Sequence, residues 1–208
     1  MLADRLDAMP TPPRFLLTAT LHDIRPAIWR TFDVSGGLSL GDVHVLLQIG
    51  FGWHDSHLHM FSENNPYDPG PAGKQWGPES PWETDNDLLP ESDTLLHDLI
   101  PDLNGPLFYE YDFGDSWLIS ITADVSTSQD ARPAFLTDGA RRGPLEDCGG
   151  VPGYLDIRET YSDPTDADDA ELREWVNDMT DGDFDPEAFD LDTLNARITG
   201  ATVSSQGR

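Results

Sequence analysis

The sequence predicts an α+β fold, as one compact mixed domain with a largely antiparallel sheet, a packed helix at residues 39–50 and an acidic helical C-terminal segment. Three observations predict this fold. Several short segments alternate apolar and polar residues, which is typical of strands with one buried face. Between Ser39 and Gly50, apolar residues recur at the i, i+3, i+4, i+7 spacing of a buried helix face. After Tyr154 acidic residues accumulate, yet apolar stripes of helical spacing continue.

Six segments are predicted as strands, because they alternate and are rich in β-branched and aromatic residues. They are Arg14–Leu21, Ala27–Val34, His57–Glu63, Leu107–Asp112, Ser116–Val125 and Arg132–Thr137. The short link 113–115 predicts a hairpin between the fourth and fifth strands, and Gly114 is expected at its left-handed position. In the proline-rich loop 64–90, Trp76 and Trp82 are expected to pack onto the rest of the chain.

Helix boundaries are predicted from capping residues. Ser39 followed by Asp42 resembles a capping box, and Gly50 and Gly52 are expected to end that helix. Ser92 is expected to cap a second, short helix that spans residues 93–99 and ends before a proline. The segment LEDCGGVPGY, residues 145–154, is rich in glycine and proline and is predicted to form turns.

The C-terminal quarter is predicted to be helical although it is strongly acidic. Residues 154–195 hold 15 acidic residues and two arginines. Two apolar stripes predict helices that pack on the core, and they comprise Leu172, Trp175, Val176 and Met179, then Phe189, Leu191, Leu194 and Ile198. The predicted organisation is a flexible leader at 1–13, the α+β domain at 14–161, the acidic extension at 162–200 and a frayed tail at 201–208.

Composition excludes some functions. The net charge of −27 disfavours binding to bare nucleic acid, which requires a basic surface. No apolar run is long enough to span a membrane, and the first residues show no secretory signal. With Cys148 as the single cysteine, no internal disulfide can form. These features favour a cytoplasmic protein, and a protein partner or a small ligand is the expected interaction.

The motif HDSHLH, residues 54–59, supplies the first candidate site residues. On a regular strand, His57 and His59 would lie on one face, where they could ligate a metal or form a base and its orienting neighbour. The side chain of His44, on the preceding helix, could lie close to these two histidines. The alternative interpretation is that these histidines are structural and satisfy buried polar groups.

The motif YDFGDSW, residues 111–117, places Asp112 and Asp115 at a hairpin tip. Two carboxylates there could bind a divalent cation or act as a base. Alternatively, the aspartates only bond backbone amides of their own turn. The metal hypothesis takes His57, His59 and Asp115 as ligands of zinc, manganese or magnesium.

The motif LEDCGG, residues 145–150, adds Glu146, Asp147 and Cys148. Cys148 could act as a nucleophile or a zinc ligand, but its acidic surroundings would raise the thiol pKa, and a buried structural cysteine is the alternative. Four aromatic residues are expected to form the walls of a pocket around the three motifs, namely Trp29, Trp53, Tyr111 and Trp117. The motifs of dinucleotide-binding, P-loop and α/β-hydrolase proteins are absent from the sequence.

The order of the motifs is more specific than any one of them. The succession RPAIWRTFDV, LGDVHVLLQIGFGWHDSHLHMF, YEYDFGDSW and PLEDCGGVPGY resembles the plasmid pRiA4b open-reading-frame-three-like family, from Phe15 to Tyr161. Some members are passengers of insertion elements and are labelled TnpR. The resemblance implies a compact α+β domain but no established activity. Many members carry a second cysteine where this chain has Arg141-Arg142-Gly143, which weakens a two-cysteine site here.

Three functional hypotheses stay open from the sequence. The first is a binding or accessory module of a mobile element, which acts through a polar site formed by the three motifs. The second is a metal-dependent hydrolase that uses the histidine pair with acidic residues. The third is that the motifs form a purely structural hydrogen-bonded network.

Overall fold

The computed structural model describes residues 11–71, 73–79, 88–162, 170–182 and 184–205. In these residues, five helices pack with one eight-stranded sheet, which confirms the predicted α+β fold. The strands are β1 (Arg14–Leu21), β2 (Trp29–Ser35), β3 (His59–Ser62), β4 (Gln75–Gly77), β5 (Leu89–Pro90), β6 (Leu107–Tyr111), β7 (Trp117–Ser126) and β8 (Ala134–Ala140). The helices are α1 (Leu40–Phe51), α2 (Leu96–Leu99), α3 (Gly150–Ser162), α4 (Ala170–Thr180) and α5 (Leu191–Ser205).

The sheet has the strand order β5-β4-β3-β6-β7-β1-β2-β8. All neighbouring strands are antiparallel except the short pair β4 and β5. Strand β1 buries every second residue, as its sequence predicts, and places Leu17, Ala19 and Leu21 in the main core. β6 and β7 form the predicted hairpin, and their link carries the YDFGDSW motif.

Helix α1 lies directly on the sheet. Ser39 and Asp42 form the predicted capping box, and Gly52 closes the helix in the left-handed conformation. At Gly50 a Cβ atom would lie 2.7 Å from the ring of Phe32 on β2, so only glycine allows this close approach. The sequence therefore predicts this helix correctly at both ends.

Two predicted local structures that involve helices are wrong. Helix α2 begins at Leu96, not at residue 93, and Ser92 does not cap it. Its N-cap residue, Leu95, pairs with Ser39 in a β-bridge that keeps the backbone extended up to that point. The second error concerns LEDCGGVPGY, whose turn ends at Gly149 so that α3 begins at Gly150. A proline near a helix start is tolerated, because the first amides of a helix have no intrahelical partner.

The C-terminal stripes form helices, as predicted. Val176 of α4 packs with Leu145 and Ile157 in a small second core, while Met179 is exposed. Ile198 of α5 belongs to the main core. Asn195 fixes α5 to β8, because its side chain bonds both the backbone amide and the carbonyl of Leu136, at 2.8 and 2.9 Å.

Some sequence predictions lie outside the described residues. They concern most of the leader (1–10), Trp82, part of the acidic extension (163–169 and 183) and the end of the tail (206–208). Trp76, the other tryptophan of the proline-rich loop, is buried on β4. None of the helices that the structure describes is both long and apolar enough to cross a membrane.

Candidate functional site

Two tyrosines of β6 organise the polar residues of the three motifs. Tyr109 and Tyr111 are two residues apart on the strand, lie on the same face and are fully buried. Each hydroxyl is the centre of a separate polar cluster. One cluster contains His44 and His59, and the other contains His57.

Four residues form a closed ring of hydrogen bonds, which we call the His44 network. Gln48 Nε2 donates to the hydroxyl of Tyr109 at 3.0 Å, so the hydroxyl proton is directed to His44 Nδ1 at 2.9 Å. His44 Nε2 then carries the other proton and donates to Asp55 Oδ1 at 3.0 Å. The backbone amide of Asp55 donates to Gln48 Oε1 at 2.7 Å, which closes the ring. In this arrangement His44 is neutral and both its nitrogens are satisfied.

His59 packs on this network. Its ring stacks on that of His44 with centroids 3.7 Å apart and planes 10° apart, and its Nε2 lies 2.8 Å from Oε2 of the buried Glu91. Burial lowers the pKa of His44, and the neighbouring His59 lowers it further. Both effects favour the neutral ring that the hydrogen bonds of the His44 network require.

His44, Asp55 and His59 bring potential ligand atoms close together, but the ring geometry does not suit a shared ion. Nearly parallel rings direct their nitrogen lone pairs along parallel lines. A metal about 2.0–2.1 Å from each nitrogen would lie far from both of those lines. The His44 network is therefore best explained as a structural device that joins α1 to β3 and β6.

The hydroxyl of Tyr111 is the centre of the second cluster. This hydroxyl donates to Glu146 Oε1 at 2.6 Å and accepts from the backbone amide of Ser56 at 3.0 Å. The amide of His54 also donates to Glu146 Oε1, at 2.8 Å. Burial tends to raise the pKa of Glu146, but these hydrogen bonds outweigh it and lower the pKa overall. All three sequence motifs meet at this point.

His57, Asp112 and Asp147 form the arrangement that we call the His57 site. His57 Nε2 lies 3.2 Å from Asp147 Oδ1 and 3.6 Å from Asp112 Oδ2. That nitrogen is buried and makes no hydrogen bond with any residue that the structure describes. An unsatisfied buried nitrogen costs about 1–3 kcal/mol, so a group that bonded this atom would stabilise the site.

The spacing of the ligand atoms in the His57 site is compatible with a divalent cation. Ligands bound tetrahedrally at about 2.0–2.1 Å lie about 3.3–3.4 Å from one another, close to the two distances measured from His57 Nε2. All three ligand atoms lie within 4.8 Å of one another. An imidazole with two carboxylates suits zinc or manganese better than magnesium, which prefers oxygen ligands alone.

The aspartates of the two clusters share an uncommon backbone conformation. Asp55, Asp112 and Asp147 all have positive φ, between 55° and 57°. Asp112 Oδ1 accepts from the amides of Gly114 and Asp115, at 2.9 and 3.3 Å, which leaves Oδ2 for His57. Gly114 does not have positive φ, so the left-handed residue predicted there is Asp112 instead.

The hairpin tip docks on the turn before α3. Asp115 Oδ2 accepts from the amide of Gly149 at 3.2 Å. Gly150 has a φ of +68°, and a Cβ atom there would lie 2.6 Å from the carbonyl oxygen of Asp115. This contact brings Asp147 next to Asp112, and so the two glycines of LEDCGG serve to assemble the His57 site.

The surroundings of Cys148 do not favour a metal ligand or an active nucleophile at this position. Burial, followed by the nearby Asp115, raises the pKa of its thiol to about 12. The sulfur lies 4.0 Å from the carbonyl oxygen of Gly150. A protonated, half-buried thiol is a poor nucleophile and a poor metal ligand.

Three of the four predicted wall residues lie together. The ring of Trp53 stacks on that of Tyr111, with centroids 4.8 Å apart, and its centroid lies 6.3 Å from that of Trp117. Trp53 also donates to the carbonyl of Pro144. Trp29 lies on β2, three strands away from β6 in the sheet, and is not part of this wall.

The structure does not bring His57, His59 and Asp115 into one group. β3 begins only at His59, after the left-handed Asp55, so strand alternation does not extend back to His57. His57 therefore points toward Asp112 and Asp147, whereas His59 points toward Glu91. Sequence reasoning missed Asp55, Glu91 and Gln48, although the apolar spacing and the capping residues did predict the helix that carries Gln48.

Comparisons with known proteins agree with this fold. The profile of the family described as plasmid pRiA4b ORF-3-like protein matches residues 14–193. The match extends past Tyr161, where the sequence resemblance had been expected to end, and includes α4. An uncharacterized protein, y4hQ of Sinorhizobium fredii (strain NBRC 101917 / NGR234), is 29% identical over 184 residues, which is 88% of this chain and 89% of the relative.

A solved structure is also similar. The crystal structure of MM3350 from Methanosarcina mazei Go1, a protein of unknown function, has a TM-score of 0.73 and 29% sequence identity. The similarity covers 88% of this chain and 98% of that protein. The motif order, the fold and the profile match lead to the same conclusion: the chain belongs to the plasmid pRiA4b ORF-3-like protein family.

Proposed function

We propose that this protein binds a divalent cation, zinc or manganese, at the His57 site and uses the ion to bind an oxygen-bearing ligand. The single observation that carries the proposal is the buried His57 Nε2, which lacks a hydrogen bond while two carboxylate oxygens lie 3.2 and 3.6 Å away. A cation there would satisfy all three atoms.

Two of the three side chains of the site reach the solvent. The side chain of Asp147 is 68% exposed and that of His57 is 28% exposed. Three protein ligands with solvent access are typical of zinc sites that exchange a water or a ligand, whereas structural zinc sites are closed by four protein ligands. Leu58 and Phe113, next in sequence to His57 and Asp112, are exposed apolar side chains that a ligand of the ion could contact.

A second candidate is metal-dependent hydrolysis, favoured by the same solvent access. Zinc lowers the pKa of its bound water to about 7, which makes a nucleophile available at neutral pH. In either case a small ligand or a protein partner suits the net charge of −27 better than bare nucleic acid does. A cytoplasmic location and an accessory role in a mobile element are part of the same proposal, and the free thiol of Cys148 is compatible with a reducing compartment.

The test measures bound metal and metal-dependent stability. Protein purified without chelator or His-tag is analysed for metal content, and zinc, manganese and magnesium are then added to metal-free protein. A ligand at 100 times its dissociation constant stabilises the fold by about 2.7 kcal/mol. We expect this gain with zinc or manganese, and a loss of at least tenfold in affinity in Asp112→Asn and Asp147→Asn.

Asp138→Asn, which removes an exposed carboxylate on β8, is the matched control and should bind like the wild type. Metal content near zero, together with no gain in stability from any of the three ions, would refute the metal proposal. Metal-dependent turnover of a phosphodiester such as bis(4-nitrophenyl) phosphate, lost in Asp112→Asn, would distinguish the hydrolase from the binding protein.

A further inference from the structure

A second candidate site lies between α1, α5 and the turn that precedes Glu146. It is an open pocket of about 480 Å³, which we call the Arg197 pocket. One part of its wall is apolar and includes Leu145, Phe189 and Leu194, and another part carries Arg30, Arg142 and Arg197. In a chain with 12 basic and 39 acidic residues, three arginines around one pocket are a marked concentration of positive charge.

Arg30 provides a fixed positive charge at the base of this pocket. Its guanidinium lies between the rings of Phe51 and Phe189, 5.1 and 4.9 Å from their centroids, and donates to backbone carbonyls such as that of Gly50. Burial lowers its pKa to about 10, so it remains charged at neutral pH. Within the described part of the chain, no carboxylate oxygen lies within 4.0 Å of Arg30 to neutralise it.

Arg197 supplies a second positive charge at the mouth. It lies on the α5 face that Thr193 and Leu194 also present to the pocket, at i+4 and i+3 from them. Its exposed guanidinium makes neither a hydrogen bond nor an ion pair with the described residues. Arg142, whose guanidinium lies 5.2 Å from the ring centroid of Phe184, contributes to the same pocket.

The two carboxylates of the pocket are already engaged. Glu146 accepts from the Tyr111 hydroxyl and from the amide of His54. Asp190 caps α5 by accepting from the amide and the hydroxyl of Thr193, at 3.0 and 2.7 Å. Charges that lie more than a Debye length away, about 8 Å at physiological ionic strength, are largely screened by salt. The arginines of the pocket therefore act on a small anion more strongly than distant acidic residues do.

We infer that the Arg197 pocket binds a small organic anion, in which an apolar group lies against Phe189 and Leu194 and a carboxylate or phosphate lies against Arg197, near the fixed charge of Arg30. Planar guanidinium groups bind both anions through paired N–H donors. The inference does not depend on the metal, because the residues that line the pocket do not include His57, Asp112 or Asp147.

The test is a calorimetric or NMR titration of the full chain in the presence of EDTA, so that no bound metal can hold the anion. The probes are phenyl phosphate and phenylacetate, with inorganic phosphate and benzyl alcohol as references that lack the ring or the charge. We expect saturable binding of at least one probe, at least fivefold tighter than either reference. Absence of saturable binding for both probes at 5 mM would overturn the inference, as would equal affinity for inorganic phosphate.

Two variants locate the site. Arg197→Gln is expected to weaken probe binding about tenfold, whereas Lys74→Gln, which removes an exposed positive charge elsewhere, should leave it unchanged. Met179→Glu places a negative charge at an exposed position of the pocket wall and should abolish binding while the melting temperature stays close to that of the wild type. Equal binding by Arg197→Gln and Lys74→Gln would show that the probe binds elsewhere and would overturn the inference.

Discussion

The imidazole rings of His44 and His59 are stacked face to face, with centroids 3.7 Å apart, at the junction of α1 and β3. Such a pair is compatible with burial only while the two rings are not both in the charged imidazolium form, because two positive charges at this distance repel strongly in a low-dielectric interior. The neighbours that bear on His44 are Tyr109 and Asp55, which bond it directly, and Glu91, which pairs with His59.

Acid should therefore destabilise the fold through His44. Its pKa is lowered in the folded state, so the unfolded chain binds more protons. The contribution to stability is fully present above the unfolded pKa of about 6.5 and is lost as the pH falls through the lower folded value. We expect the free energy of unfolding, measured in urea between pH 7.5 and pH 5, to fall more steeply in the wild type than in His44→Gln.

Other groups titrate over the same range, so the difference in slope is the quantity to measure. His22→Asn, which removes a partly exposed histidine outside both clusters, should retain the wild-type slope. If His44→Gln and His22→Asn lost stability with equal slopes, His44 would not be the group responsible.

Removing one hydroxyl should open the His44 network. In Tyr109→Phe, His44 Nδ1 and Gln48 Nε2 both lose their partner in a buried place, and an unsatisfied buried group costs about 1–3 kcal/mol. Chemical denaturation should show a loss of this size. Tyr161→Phe removes an exposed hydroxyl that bonds Asn177 and should change stability by less than about 0.5 kcal/mol. Similar values for the two variants would argue against a buried, cooperative ring.

Gly150 should be intolerant of a side chain for two separable reasons. Alanine at a positive φ costs roughly 1–2 kcal/mol, and here its Cβ would also lie 2.6 Å from the carbonyl oxygen of Asp115. Gly182 has a similar φ, +77°, but open space around it. Urea denaturation of Gly150→Ala should therefore show a distinctly larger loss than Gly182→Ala, and equal losses would contradict the docking of the hairpin tip on this turn.

The thiol of Cys148 should react slowly. With a pKa of about 12, it forms far less thiolate at pH 8 than an ordinary cysteine, and the higher nucleophilicity of that thiolate offsets only part of the difference. We expect alkylation by iodoacetamide to be about a hundredfold slower in the folded protein than in urea, with a rate that keeps rising up to pH 10. A rate that levels off near pH 8 would indicate an ordinary pKa.

Local sequence signals were sufficient for several of the elements. The alternation of apolar and polar residues in β1 predicts both ends of the strand, because each inward-facing residue is buried in the core. The Ser39 and Asp42 box sets the start of α1, because capping is an interaction between residues three positions apart. The acidic helices were predictable because their apolar stripes persist among the charges, and Ile198 is buried accordingly.

The pairing of the site residues was not predictable in the same way. Whether His57 lies with His59 depends on where pairing with β6 begins, and that follows from the left-handed turn at Asp55. Glu91 follows a proline-rich segment in the sequence and comes to lie beside His59. Asp147 is positioned by the contact between Gly150 and Asp115. These contacts join residues that are far apart in the sequence, so the local periodicity of apolar residues does not predict them.

The positive φ of Asp55, Asp112 and Asp147 bears on how variation in relatives should be interpreted. Aspartate, asparagine and glycine all tolerate this backbone conformation, whereas β-branched residues do not. Selection for the turn alone would therefore maintain aspartate at these positions in a proportion of sequences, with no requirement for its charge. An exchange of Asp112 or Asp147 for asparagine or glycine preserves the loop but removes the negative charge. Natural sequences with such exchanges therefore distinguish selection for the turn from selection for binding.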